Sequence, residues 1–146
     1  MSDVDEAERL SSRRPGMFMV MTYFFLFQQF AYFTQPPVTG RPVDYVRIGA
    51  WILLALVILA ALLTGGFWQK SKAIRALMED EVTRANRADA LRLGFGLAMV
   101  AAIGLFAFSG PGGLTAREVI HIIVSAGLGA STLRFGFLER RAHRLG

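Results

Sequence analysis

The chain has 146 residues, of which 53% are hydrophobic, and a formal net charge of +5. Its mean hydropathy of +0.43 is too high for an ordinary soluble domain, and its length fits a single domain. The absence of cysteine excludes disulfides, thiol nucleophiles, Cys-ligated zinc and iron–sulfur clusters. The basic residues flank apolar runs, which indicates anchoring in a lipid bilayer, so nucleic-acid binding is not favoured.

The first apolar run, residues 17–34, contains no charged side chain. As a helix its 18 residues would be about 27 Å long, near the short limit for a membrane span. The run ends in bulky Tyr32 and Phe33 rather than in a small-residue cleavage site, so it predicts a permanent helix and not a signal peptide. We expect the preceding segment to be a solvated tail, with any helix in it ending at Pro15 and Gly16.

The second apolar run, residues 48–67, is the clearest span of the chain. Its 20 residues make a helix of about 30 Å, the thickness of the hydrocarbon core. Trp51 and Trp68 lie near its two ends, where aromatic belts place tryptophan. Three prolines and a glycine in residues 35–47 predict a turn before it.

Two further spans are predicted at residues 93–109 and 119–137, separated by a glycine-rich turn at 110–113. Thr115 and Glu118 have the spacing of a capping box, in which hydroxyl and carboxylate satisfy the first free amides of a helix. The chain is therefore expected to be an all-α integral membrane four-helix bundle. It would form one domain over residues 1–146, with two helical hairpins and a helical cytoplasmic connector at residues 69–92.

Lysine and arginine are distributed unequally around these spans. The N-terminal segment, the connector and the C-terminal end together carry 13 of them, and the two remaining loops carry three. By the positive-inside rule, this asymmetry predicts a multi-pass protein of a bacterial inner (cytoplasmic) membrane. Both termini and the connector would then be cytoplasmic.

The connector has an apolar and a charged helix face. No helix breaker separates it from Leu93, so we expect the third span to continue into the cytoplasm as a helical stalk, after a turn near residues 69–72. Three uses of the stalk remain open: docking on a partner protein, lying on anionic headgroups, and packing on the protein's own cytoplasmic ends. The candidate docking residues are Ile74, Leu77, Met78, Asp80, Glu81, Arg84 and Arg87.

Residues 79–87 of the connector read EDEVTRANR and lead into the third span. This stretch resembles a charged segment of small uncharacterised bacterial inner-membrane proteins of unknown function. Some of those proteins are encoded beside helix-turn-helix regulators. Counted with the apolar span that follows directly, the resemblance covers about a fifth of the chain, and it brings no activity with it. What it implies is an interaction or regulatory role.

Polar side chains inside a membrane are costly and are therefore functional candidates. Gln28 and Gln29 lie in the outer half of the first span, and His121 lies at a similar depth in the fourth. If those spans pack together, a glutamine and Tyr32 can meet His121. Such a cluster is either a proton or small-solute site with a titrating His121, or an interhelical hydrogen bond worth about 0.6 kcal/mol, which we favour. The full candidate set is Gln28, Gln29, Tyr32, Glu118, His121 and Ser125.

Small residues recur along the third and fourth spans, where small-xxx-small spacing lets two helices approach closely. We expect these spans to pack tightly, either within one bundle or across a dimer interface. The candidate packing residues are Gly96, Gly104, Ala126, Gly127, Ala130 and Ser131.

No metalloprotease, serine-hydrolase or P-loop motif is present. No span holds Asp, Glu or Lys, which disfavours a carrier built on an intramembrane carboxylate, and a single intramembrane histidine disfavours b-type haem. We expect no enzyme activity and no cofactor. The leading hypothesis is an interaction or regulatory subunit that binds a cytoplasmic or membrane protein through the connector. The alternative is a small homo-oligomeric transporter or channel with His121 and Gln28 or Gln29 in its pathway.

Overall fold

The computed structural model of the protein describes residues 3–34, 40–66, 80–108 and 113–145. These residues form four helices: α1 (Asp3–Thr34), α2 (Pro42–Thr64), α3 (Glu81–Phe108) and α4 (Ala116–Leu145). No strand occurs in the described ranges. Each helix is long and apolar enough to cross a membrane. The prediction of an all-α four-helix bundle is confirmed.

The outer surface of the bundle is apolar. In the most apolar stretch of each helix at most 33% of the residues are buried, and in α3 only 6% are. Large side chains such as Phe95 and Phe106 are 68% and 87% exposed. A soluble protein rarely exposes so much apolar surface to water, whereas helices that cross a bilayer present such a surface to lipid. The bundle therefore has the surface of a multi-pass membrane protein.

Helix α4 is the element on which the others pack. It lies against α3 and α1 along much of its length, whereas α2 makes few contacts, chiefly with α4. In the core, the rings of Phe18 and Phe135 meet edge to face with their centroids 4.7 Å apart. Phe25, Ile58 and Leu62 are fully buried around them. These buried side chains pack α1, α2 and α4 against one another.

Successive helices run in opposite directions, so the bundle has two distinct ends. The hairpin end contains the last turn of α1, the first turn of α2, the last turn of α3 and the first turn of α4. The terminal end contains the other four helix ends and therefore both chain termini. The contacts of His121 with Tyr32 and Trp51 show which helix ends meet at the hairpin end. The hydrogen bonds of Arg14 with Thr83 and Glu139 show which helix ends meet at the terminal end.

Helix α1 runs from Asp3 without a break, so the prediction of a tail whose helix ends at Pro15 and Gly16 was wrong. Proline has no N–H, and the carbonyl of Ser11 four residues earlier therefore loses its helical donor. Nε2 of His143 lies 2.8 Å from that carbonyl oxygen and supplies the missing hydrogen bond. Packing of the buried Pro15 against α4 keeps the helix continuous through a residue that would otherwise end it.

Helices α3 and α4 pack closely at Gly94 and Gly127, as expected for the third and fourth spans. A Cβ added at Gly94 would overlap the Ser131 hydroxyl and the Gly127 carbonyl. A Cβ added at Gly127 would lie 3.1 Å from the Cβ of Ala98. The tight packing therefore exists within one bundle.

The packing residues of α3 need a correction. At Gly96 and Gly104 an added Cβ would meet no atom within 4 Å, so neither glycine forms the contact with α4. The contact falls instead at Gly94, which lies on a different face of the helix from Gly96 and Gly104. Which face of α3 meets α4 is set by packing over the whole interface. Ala126 and Ala130 are partly buried on α4.

Side-chain caps fix the starts of α3 and α4. Oδ1 of Asp80 accepts a hydrogen bond of 2.7 Å from the Thr83 amide, and α3 begins at Glu81. The predicted helical continuation of the third span is confirmed from Glu81 onward, but it was wrong to extend it through Asp80. The predicted capping box of α4 is confirmed, because the Thr115 amide lies 2.7 Å from Oε2 of Glu118 and the Glu118 amide lies 3.3 Å from the Thr115 hydroxyl. Residues 67–79, with Trp68 and most of the connector, lie outside the described residues.

Candidate functional site

A cavity of about 500 Å³ lies between α1, α2 and α4 at the hairpin end. We call it the hairpin-end cavity; its size is that of a small-ligand site. Residues four apart lie on the same face of a helix, and each of the three helices turns such a pair towards the cavity. The three pairs are Gln28 and Tyr32, Arg47 and Trp51, and Arg117 and His121. Ala31 of α1 and isoleucine side chains of α2 and α4 complete the wall.

His121 is the centre of an aromatic cluster at this cavity. Its ring centroid lies 3.9 Å from that of Tyr32 and 4.4 Å from that of Trp51, with interplanar angles of 32° and 33°. The Phe33 ring approaches edge-on at 5.7 Å. The histidine is only 3% exposed. Stacked aromatic neighbours hold the imidazole in one orientation and contribute about 0.5–1.5 kcal/mol per pair beyond burial.

Buried polar atoms without a hydrogen-bond partner among the described residues occur at this cavity. They include Nε2 of His121 and Oε1 of Gln28, which line it, and Nε2 of the neighbouring Gln29. The other amide atom of Gln29 is used, because Oε1 accepts a hydrogen bond of 3.3 Å from the indole of Trp51. Each unpartnered atom costs about 1–3 kcal/mol. The cavity therefore keeps a hydrogen-bonding capacity that these residues do not use themselves.

Positive charge borders the hairpin-end cavity. The guanidinium of Arg47 lies 5.9 Å from the Tyr32 ring centroid and 3.7 Å from a carboxylate oxygen of Asp44. Arg117 is exposed at the first turn of α4. None of the described lining residues is acidic. The arrangement therefore combines an aromatic wall, buried polar atoms and a cationic border.

The structure brings together four of the six polar residues singled out from the sequence. Gln28, Tyr32 and His121 line the cavity, and Gln29 bonds to the indole that lines it. Ser125 donates instead to the His121 carbonyl of its own helix. Glu118 is used in the α4 cap, where its bonds with Thr115 lower the pKa of the carboxyl. A binding role for the four remains a prediction.

Sequence reasoning missed Trp51, Arg47 and Arg117 as partners of this cluster. Trp51 was assigned to an aromatic belt, since nothing local indicates that α2 turns it towards α1 and α4. One signal was present in the sequence: an arginine precedes an aromatic ring by four residues at the start of the second helix of each hairpin. That spacing places charge and ring on one helix face, but it does not say which faces converge.

At the terminal end, a buried polar network joins α1, α3 and α4. Nη1 of Arg14 lies 3.1 Å from Oε2 of Glu139, and both side chains are almost fully buried. Arg14 also donates to the Thr83 hydroxyl at 3.0 Å, and Nδ2 of Asn86 donates to the other Glu139 oxygen at 2.9 Å. We call Arg14, Thr83, Asn86 and Glu139 the terminal-end network. A second interhelical bond lies nearby, from Nε of Arg134 to Oδ2 of Asp89 at 2.8 Å.

The predicted docking surface begins beside this network. Glu81 and Arg84 are exposed on the first turns of α3, Arg87 is partly buried, and the Asp80 carboxylate caps the helix. The apolar half of the surface lies outside the described residues and stays a prediction. That half is formed by Ile74, Leu77 and Met78. A cavity of about 250 Å³ opens between the network and the capping residue Asp80.

Comparisons of the chain with models of known protein families, with curated proteins and with solved structures found no match. Within the described residues, no group of three or more histidine or acidic side chains is placed to hold a metal ion. The geometry of the two ends is therefore the basis for an assignment of function.

Proposed function

We propose that the protein is a small non-enzymatic subunit of a bacterial inner membrane that binds a partner protein through its terminal end, which faces the cytoplasm. The terminal-end network is the observation that carries this proposal. Burying an ion pair gains little stability over an apolar pair of the same size, so we take its role in this protein to be the specification of one arrangement of the groups around it. Here it holds the polar extensions of three helices together at the end from which the connector leaves.

The surface around the network supports both the orientation and the partner. Glu81 and Arg84 point outward from α3. Further exposed arginines on α1 and α4 are Arg9, Arg13, Arg140, Arg141 and Arg144. Positive charge at one end of a membrane bundle favours the cytoplasmic side. It also favours a partner whose surface presents carboxylates.

The segment that resembles small bacterial membrane proteins lies within this end. Its Thr83 and Asn86 side chains bond to Arg14 and Glu139, whereas Glu81 and Arg84 are exposed. One face of the segment thus anchors α3 and the other is available to a partner. In an interaction or regulatory role, the first face would hold α3 in place while the second binds the partner.

The orientation can be tested with single cysteines, because the chain has none of its own. Ser12 is exposed at the terminal end and Leu114 is exposed at the hairpin end. A membrane-impermeant maleimide added to intact cells should label Leu114→Cys at once and Ser12→Cys only after permeabilisation. The reverse pattern would place the termini outside and contradict the proposal.

The partner can be tested by placing a photo-crosslinking residue at Arg84 and, as a matched control, at Leu114. We expect one stoichiometric adduct of defined mass from position 84 and none from position 114. Replacement of Leu77 and Met78 by Asp should remove that adduct without changing the amount of protein in the membrane. Adducts of equal yield at both positions, or no adduct at position 84, would sink the proposal.

A small oligomeric transporter or channel is the second candidate, and the hairpin-end cavity is the observation that favours it. The unpartnered atoms of Gln28, Gln29 and His121 would then belong to a solute pathway. Vesicles containing the purified protein should leak protons or the tested solute, and His121→Ala should stop the leak while leaving the cross-link at Arg84 intact. Tight vesicles with the wild-type protein would rule this candidate out.

A further inference from the structure

We infer that the hairpin-end cavity is a binding site for a small amphiphilic anion. The apolar, preferably flat body of the ligand would lie against Trp51 and Tyr32. Its carboxylate or phosphate group would face Arg117 and Arg47. This inference concerns the hairpin end alone and does not depend on whether the terminal end binds a partner.

The spacing of the lining residues sets the orientation of the ligand. On α4, Arg117 lies one turn nearer the helix end than His121, and on α2, Arg47 lies one turn nearer than Trp51. The four residues that separate each pair span about 6 Å along a helix axis. Both helices therefore place a cation at the rim and an aromatic ring about 6 Å deeper, which is the order of charge and apolar surface in a short amphiphile.

The charges around the site favour an anion. Asp44 faces Arg47 at 3.7 Å and offsets part of its charge. Arg117 has no acidic side chain within salt-bridge distance among the described residues. A guanidinium presents a planar fork of donors that matches a carboxylate or a phosphate. A cationic ligand would meet repulsion from both arginines.

The buried polar atoms point to an occupant as well. His121 is 3% exposed and lines the cavity, yet its Nε2 has no partner among the described residues. Oε1 of Gln28, another residue that lines the cavity, is also buried without a partner among the described residues. Helix α2 makes few contacts with α1 and α3, which leaves the gap open between it and the rest of the bundle. A ligand that carries a hydrogen-bonding group would satisfy atoms that otherwise cost free energy.

Trp51 provides a direct readout of binding. The chain has two tryptophans, so Trp68→Phe leaves Trp51 as the single reporter. The purified full-length protein in phosphatidylcholine nanodiscs would be titrated with phenylbutyrate and with its uncharged analogue phenylbutanol. We expect a saturable change in Trp51 emission with phenylbutyrate and at least about tenfold weaker binding of phenylbutanol, because the charge-assisted bonds to arginine are lost. Equal affinities would contradict the anion preference.

Three variants locate the site. Arg117→Gln should weaken phenylbutyrate binding about tenfold. Arg41→Gln removes the same charge from the same end, outside the cavity lining, and should leave binding unchanged. Ala31→Leu fills the cavity without removing a polar group and should abolish binding of both probes. Equal effects of the two arginine changes, or unchanged binding in Ala31→Leu, would overturn the proposal.

The same assay distinguishes a lipid from a free anion. Nanodiscs that also contain phosphatidylglycerol would be compared with the pure phosphatidylcholine discs. If the anionic lipid is the natural occupant, it should change Trp51 emission by itself and compete with phenylbutyrate. If the occupant is a free anion, the lipid should leave the phenylbutyrate titration unchanged. No response of Trp51 to either ligand would overturn the proposal.

Discussion

Glu139 at the terminal end is 4% exposed and His121 at the hairpin end is 3% exposed, so the two groups are equally deeply buried. Their surroundings differ. Both oxygens of Glu139 accept hydrogen bonds, from Arg14 and Asn86, whereas Nε2 of His121 has no partner among the described residues. Burial is the same, but each oxygen of the Glu139 carboxylate has a hydrogen-bond donor, whereas the His121 nitrogen has no partner among the described residues.

The difference distinguishes two uses of a buried polar group. At the terminal end the side chains bond to one another and fix how three helices meet, which is a structural role. At the hairpin end, aromatic rings hold His121 beside a cavity with hydrogen-bonding capacity to spare. A protein keeps such an unfavourable arrangement where something else completes it. Four changes, from the largest expected effect to the smallest, test this contrast.

The largest effect is expected at the ion pair. Arg14→Met leaves the Glu139 carboxylate buried without its charge partner and should lower the free energy of unfolding by about 3–5 kcal/mol. Arg13→Met, at the exposed neighbouring arginine, should have almost no effect. The double change Arg14→Met with Glu139→Leu should recover most of the loss. Unfolding in mixed micelles measures all three, and a stable Arg14→Met variant would mean that the pair is not buried.

The next effect is expected at the contact of α3 with α4. Gly94→Ala introduces a Cβ that overlaps Ser131 and Gly127, and should cost about 1–3 kcal/mol. Gly96→Ala meets open space and should be neutral or slightly stabilising, since alanine favours helix. No described residue of α3 lines the hairpin-end cavity, so phenylbutyrate affinity should survive Gly94→Ala. Loss of both stability and phenylbutyrate affinity in Gly94→Ala would mean that the hairpin-end cavity depends on the contact between α3 and α4.

At the hairpin end a substitution should raise the free energy of unfolding rather than lower it. His121→Phe keeps a ring against Tyr32 and Trp51 and removes the unpartnered nitrogen, so the protein should become about 1 kcal/mol more stable without ligand. Asn86→Ala is the matched change at the terminal end, and it should destabilise because it removes a bond that is made. Thermal unfolding in nanodiscs compares the two. A destabilised His121→Phe would show that this nitrogen is satisfied in the folded protein.

The smallest effect is expected where His143 bonds to the Ser11 carbonyl. His143→Ala should cost about 0.5–1.5 kcal/mol while Pro15 is present. In the background Pro15→Ala, the restored amide can bond to Ser11 itself, so the same histidine change should cost nothing. A double-mutant cycle of the two positions should therefore give a coupling close to the cost of the single histidine change. Additive effects would exclude this account of the continuous helix.

Local signals found the four helices and the start of α4, but not the starts of α1 and α3 or the residues that the helices bring together. Thr115 and Glu118 lie three residues apart, and a cap built over three residues needs no tertiary contact. Pro15 failed as a stop signal because buried packing and a histidine 128 residues away in sequence replace what proline removes. Asp80 lies outside the helix that was predicted to include it, since its side chain caps α3 at Glu81.

The four apolar spans follow from composition, because lipid forces every backbone amide in a span to bond within its own helix. Neither the number of the helices nor their order depends on how they meet. The two polar sites do depend on it. Trp51 reaches His121, and Arg14 reaches Glu139, only through the rotation and tilt at which α1, α2 and α4 pack. Periodicity specifies which residues share a face, whereas which faces converge is decided by packing over the whole interface.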